Sequence, residues 1–282
     1  MSIQLLSCWN LFLRGAESFF NSVFFIATVG SLAGAFGGAW GAQRIAERSK
    51  DRAELLKELR NTNAAIVVAF SICNTLISAK KQHVKSLKEN FEKARSDLIE
   101  SQTRGGIFAF QADFRTLPEI DLPLAILQAQ IFEKLSLEGR GLMLMTTLVQ
   151  SVGGLNAAIL RRNQLIELYK RNSLPRPVLP SLYFGLAQND GHIDQEYPDL
   201  ISAIYTQNDD SIFFSQLLCN DLIEHGEKIF GSYEKQFGNG APRISKPDFS
   251  KAEKAELMPP TGNYTDWLNM FVKHPPNDRR TH

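Results

Sequence analysis

The densest group of side chains capable of chemistry is Asp190-Gly191-His192-Ile193-Asp194-Gln195-Glu196. An imidazole beside Asp190, Asp194 and Glu196 could bind a divalent metal. The spacing matches neither an EF-hand loop nor a zinc motif, so a surface turn around Gly191 is the expectation. His225 follows Asp221 by one helical turn and sits among Glu224 and Glu227. It lacks the second nitrogen ligand of a helical metal site and reads as a surface or internally satisfied histidine. His83, in QHVK, reads the same way.

No G-x-S-x-G, P-loop, dinucleotide fingerprint or HExxH occurs. Cys8, Cys73 and Cys219 are sparse, odd in number and unsuited to metal or redox spacing, which fits a reducing compartment. No catalytic residue, metal ligand or cofactor is assigned. A non-enzymatic role is expected ahead of an enzyme whose site is assembled from distant residues. The formal net charge of +1 gives no reason to expect a nucleic-acid partner.

The element that must position everything else is Phe19–Ala42, FFNSVFFIATVGSLAGAFGGAWGA, which holds no charged residue. Its length suits a membrane-spanning helix, since about 20 apolar residues cross the hydrocarbon layer. Ala33-Gly34-Ala35 resembles a signal-peptide cleavage site, but the preceding region is long and the helical pattern continues past it. Gly30, Gly34 and Gly38 recur every fourth residue, and Gly37 and Gly41 form a second such pair. Small residues in rows on one face let helix backbones approach, so homo-oligomerisation in the bilayer is expected. Upstream of the span stands only Arg14, while Arg44, Arg48, Lys50 and Arg52 follow it. The positive-inside rule then places the N-terminus outside and the remainder in the cytoplasm. This general form is similar to that of many bacterial inner-membrane proteins, and that location is expected.

From Arg44 to about residue 100 neither proline nor glycine interrupts a helix-forming sequence. Leu56, Leu59, Asn63, Ile66, Phe70, Cys73, Ile77, Lys80, Val84, Leu87, Phe91, Ala94 and Leu98 alternate at three- and four-residue spacing. This heptad-like seam has Asn63 and Lys80 as polar positions. It serves equally well an intermolecular coiled coil or a bundle within one chain. Ala64–Ser78 is apolar but short for a second span. Gly141–Leu160 carries Gln150 and Asn156 and reads as a buried helix.

The expected organisation is all-α: an interfacial segment at 1–18, a single transmembrane helix at 19–43, and a long heptad-patterned helix at 44–100. A cytoplasmic helical bundle at 101–237 and a tail at 238–282 complete it. Within 101–237, Asp121 reads as an N-cap and helices are expected to about Leu137 and over Leu142–Arg171. A short helix at Pro198–Thr206 and another from Ser211, capped by Asn208-Asp209-Asp210, complete that region. In the tail, Tyr264, Trp267, Leu268 and Phe271 share a helical face that docks on the chain's own core or on a protein partner. The function expected is a membrane-tethered, oligomeric protein with a scaffolding, sensing or partner-binding domain. A pore-forming or membrane-perturbing effector is the alternative from a different class.

Overall fold

The computed structural model describes residues 23–105, 110–171 and 178–271. The expected interfacial segment at 1–18 lies outside them. The chain is all-helical, with no strand among the described residues. Helix α1, Val23–Ala79, leads into a π-helical turn, Lys80–Val84, and then into α2, Lys85–Arg104. Gly105 ends α2 with φ 68°, a left-handed cap that glycine adopts without steric cost. An extended segment, 110–123, precedes α3, Leu124–Lys134, and α4, Arg140–Lys170. There follow α5, Leu179–Phe184, α6, Glu196–Phe237, and α7, Ser250–Lys254. A 3-10 turn, Thr261–Tyr264, and α8, Thr265–Asn269, close the described chain.

Residues fall into two compact units, Met1–Leu56 and Lys57–His282. The second unit holds two buried clusters. The larger joins Ala65, Ile66, Ala69, Ile72 and Leu76 of α1 to Leu144, Leu148 and Leu155 of α4 and Ile204, Leu218 and Leu222 of α6. The smaller is aromatic, with Phe91, Tyr169, Tyr183, Phe184 and Tyr197 packed together. Each fully buried aliphatic or phenyl side chain contributes roughly 1.5–3 kcal/mol, so the seam of α1 is a main source of stability.

That seam therefore serves the chain's own bundle from Leu59 onward. Leu59, Ile66, Cys73, Val84, Leu87, Phe91 and Leu98 are buried by other elements of the same chain. Ala64–Ser78, weighed as a second span, supplies Ala65, Ile66, Ala69, Ile72, Cys73 and Leu76 to this core. The uncharged part of α4 likewise turns Leu144, Leu148, Val152 and Leu155 inward.

Two local readings need correction. Asn208-Asp209-Asp210 does not cap a helix; it lies inside α6, an unbroken helix of 42 residues. These side chains favour caps because they compete for backbone groups nearby. Here tertiary partners occupy them: Asn208 donates to the Leu76 carbonyl at 3.3 Å, and Asp210 accepts from the Tyr264 hydroxyl at 2.9 Å. Asp121 likewise caps nothing, since α3 begins at Leu124 with Pro123 at its N-cap and no capping side chain.

The extended segment is held to α4 by side chains. Asn156 exchanges bonds with both backbone groups of Ile120 at 2.9 and 3.0 Å, and Asn163 does the same with Leu117 at 3.0 and 2.7 Å. Seven residues along a helix rise about 10.5 Å, and three along an extended chain rise about 10 Å. The spacing of the two asparagines thus matches that of the two residues they hold.

Candidate functional site

In the first unit, no other described element covers the helix surface from Gly30 to Ile45. At Gly30, Gly34, Gly37, Gly38 and Gly41, no atom lies within 4 Å of where a Cβ would stand. Leu32 is 53% exposed, Phe36 75%, Trp40 63% and Ile45 73%. An apolar surface of this extent is uncommon on monomeric soluble proteins. By length and composition, the helix containing α1 and helix α4 could each cross a membrane. Buried core helices pass the same test, and α4 is one. Arg44, Arg48, Lys50 and Arg52 are exposed just beyond the apolar stretch, and the Arg44 guanidinium lies 5.1 Å from the centroid of the Trp40 ring.

In the second unit a pocket of about 750 Å³ opens between Ser136–Gly141 and α6, with Phe271 at its edge. His225 and Asp221, one turn apart on α6, face it, as do Glu224 and Lys228. Both line residues take partners from far along the chain. Arg140 makes a two-point contact with the Asp221 carboxylate, its Nε at 2.9 Å from Oδ2. Glu58 Oε1 lies 3.0 Å from His225 Nε2, and it also accepts from the Ser136 amide at 3.0 Å and from the Ser136 hydroxyl. Burial raises the Glu58 carboxyl, but the bonds from Ser136 and His225 outweigh it and hold the group below its ordinary value.

Serine, histidine and glutamate meet here, yet not as a nucleophilic relay. In a relay the histidine stands between hydroxyl and carboxylate so that it can take the hydroxyl proton. Here serine and histidine both bond to the same carboxylate oxygen. The cluster fixes the loop at Ser136 to α1 and α6 and shapes the pocket wall. Nothing in the sequence linked Glu58 to His225, because 167 residues separate them.

The polar seam positions now have partners. Asn63 donates to the Arg243 carbonyl at 3.0 Å and accepts from the Ser245 amide at 2.8 Å, tying the tail region to α1. Lys80 is 2% exposed, and its Nζ lies 2.6 Å from Asp209 Oδ1. It opens the π-helical turn, a geometry frequent at functional positions. Burial raises the Asp209 carboxyl against the opposing pull of Lys80.

Tyr264, Trp267, Leu268 and Phe271 turn toward the chain's own core. Tyr264 stacks on Phe213 at 3.7 Å between centroids, Trp267 lies 5.1 Å from Phe214, and Leu268 packs against the larger cluster. Phe271 is half-buried and 4.8 Å from Trp267. Of the two expectations for these residues, the described contacts are those of self-docking.

The Asp190–Glu196 group forms a surface turn. Asp190 accepts from the His192 amide at 2.9 Å, Asp194 from the Glu196 amide at 2.8 Å, and Gly191 has φ 83°. No group of three metal-capable side chains assembles among the described residues. Cys73 and Cys219 are buried, and burial pushes the Cys73 thiol up to about 12, far from the thiolate that nucleophilic chemistry needs. Compared with known proteins, the chain matches no family model, no curated protein and no solved structure.

Proposed function

We propose that this chain is a membrane-tethered protein that self-associates through its glycine-spaced helix and carries a helical sensing or scaffolding domain. The observation that supports the reading is the uncovered surface of α1 from Gly30 to Ile45. Five glycines there have open space at their Cβ positions, and large apolar side chains between them are exposed. Lipid accommodates the large side chains, and a second copy of the same helix accommodates the glycine rows. The basic run Arg44, Arg48, Lys50 and Arg52 after the apolar stretch supports, by the positive-inside rule, a reading in which the second unit is cytoplasmic at the inner membrane of a bacterial cell.

The domain's role is binding. Its pocket of about 750 Å³ is of the size that holds small ligands, and its polar groups are fixed by long-range bonds. The ligand or protein partner is to be found by screening against that pocket. Membrane fractionation tests the tether: the full chain should stay in the pellet after alkaline carbonate extraction. Recovery in the soluble fraction would defeat the reading. Leakage of a membrane-impermeant dye on expression, abolished by Gly34→Leu, would replace tethering with pore assembly.

A further inference from the structure

Against Tyr197 of the smaller core cluster lies an arginine that donates no hydrogen bond to a carboxylate among the described residues. Arg162 is 0% exposed. Its Nη1 donates to the Arg115 carbonyl at 2.9 Å and its Nη2 to the Asp113 carbonyl at 3.3 Å. Its guanidinium lies 5.7 Å from the centroid of the Tyr197 ring, and its Nε has no hydrogen-bond partner among the described residues. The nearby Asp113 carboxylate is committed to Arg115, which binds it through Nε at 2.9 Å and Nη2 at 2.7 Å. Two carbonyl dipoles and a ring face do not neutralise a buried cation, and an uncompensated buried charge is strongly destabilising.

Arg162 borders a pocket of about 140 Å³, together with Gln82, His83, Ser86, Asp113 and Arg115. That space holds roughly four or five waters at about 30 Å³ each. It is well below the roughly 300 Å³ at which ordinary ligand pockets begin. The charge balance is positive: Arg115 and Arg162 both act on the single Asp113 carboxylate, leaving one positive charge in excess. The Gln82 side-chain amide and the His83 imidazole offer N–H donors around the opening, while the Ser86 hydroxyl is spent on the His83 carbonyl at 3.2 Å. We propose that this pocket binds a small oxyanion of the phosphate or sulfate class, with Arg162 as its fixed counter-charge. Both Nη atoms are held by carbonyls, so the guanidinium acts on such an ion as a fixed positive charge behind the pocket wall, with Nε as its unpaired donor. The ligand joins the segment at Asp113–Leu117 to the π-helical turn at Gln82 and His83. This site stands apart from the larger pocket and does not depend on the membrane reading.

The test uses the full chain in detergent, with thermal unfolding followed by circular dichroism at constant ionic strength. Replacing chloride with inorganic phosphate or sulfate should raise the midpoint by roughly 4 °C and then saturate. Gln82→Ala and His83→Ala alter exposed side chains, so folding is retained, and each should weaken the apparent affinity by about tenfold. A parallel titration with glycerol phosphate identifies the source. Equal stabilisation indicates the phosphoryl group of a larger molecule, and none indicates the free ion. General salting-out gives a rise that does not saturate and does not respond to the variants. Such a rise, or no rise beyond chloride, would overturn the proposal.

Discussion

Lys80 and Asp209 illustrate how little a side chain's type says without its neighbours. A lysine at a seam position reads as a polar interruption of an apolar stripe that could meet another chain or its own. In the fold its ammonium is buried 2.6 Å from a carboxylate of the same chain. Removing one member strands the other charge in the core, at a cost of about 3–5 kcal/mol. Lys80→Met should therefore shift the chemical-denaturation midpoint strongly, and Lys80→Met with Asp209→Leu should restore most of the loss. A double variant as unstable as the single would show that packing around the π-helical turn matters more than the charge. Glu58 gives a pH signature with a defined sign. Its folded carboxyl lies below the ordinary value of 4.5. Its contribution is therefore present above pH 4.5 and is lost as pH falls further, through its lowered value. Asp209 and Asp210 are raised by burial and act in the opposite sense, contributing below pH 3.8 and losing that contribution as pH rises. The difference between wild type and Glu58→Gln removes their common background. That difference should shrink on acidification below pH 4.5, and a difference independent of pH would remove the role given to the Ser136 and His225 bonds.

At the scale of elements, periodicity was readable wherever one face of a helix meets one core. The spacing of Leu59, Ile66, Cys73, Ile77, Val84 and Leu87 predicts the buried stripe of α1 and α2 well. It could not say which surface the stripe meets, because the same apolar spacing suits a neighbouring chain or a neighbouring helix. Asn208-Asp209-Asp210 misled for a physical reason: a run of small polar side chains mid-helix is costly unless distant groups satisfy it. Those groups, Leu76, Lys80 and Tyr264, lie far away in sequence. Residue type says equally little at Arg162, one of two adjacent arginines on α4. Its neighbour Arg161 is the exposed one, paired with Glu196, while Arg162 is fully buried. The asparagine clamp on the extended segment was not legible at all. Its prediction follows from geometry. Asn156→Leu removes both bonds to Ile120 and leaves its backbone groups without partners, a loss of about 1–3 kcal/mol. Amide exchange at Ile120 should become faster while exchange in α6 is unchanged. Equal acceleration throughout would mean that the segment is integral to the bundle rather than clamped onto it.

For the whole molecule, the question is whether the glycine rows act between chains, and the structure makes this separable from folding. Every residue of the two buried clusters lies at or beyond Ala65. Deleting residues 1–43 should therefore leave a soluble fragment with a helical circular dichroism spectrum, and a spectrum dominated by strand would contradict the fold. The decisive variant is Gly34→Leu in the full chain. Most core substitutions confound association with stability, because a larger side chain must displace something. At Gly34 no atom of another described element lies within 4 Å of the new Cβ, so a larger side chain starts into open space. Leucine also raises helix propensity relative to glycine by somewhat under about 1 kcal/mol, so the helix itself is not weakened. Any loss of signal in a membrane self-association reporter then comes from the distance between helices, since a leucine in the row keeps backbones apart where glycine lets them close. Gly34→Ala keeps the row small and should retain most of the signal. A leucine variant that associates as wild type does would confine the helix to anchoring and leave the exposed face to lipid.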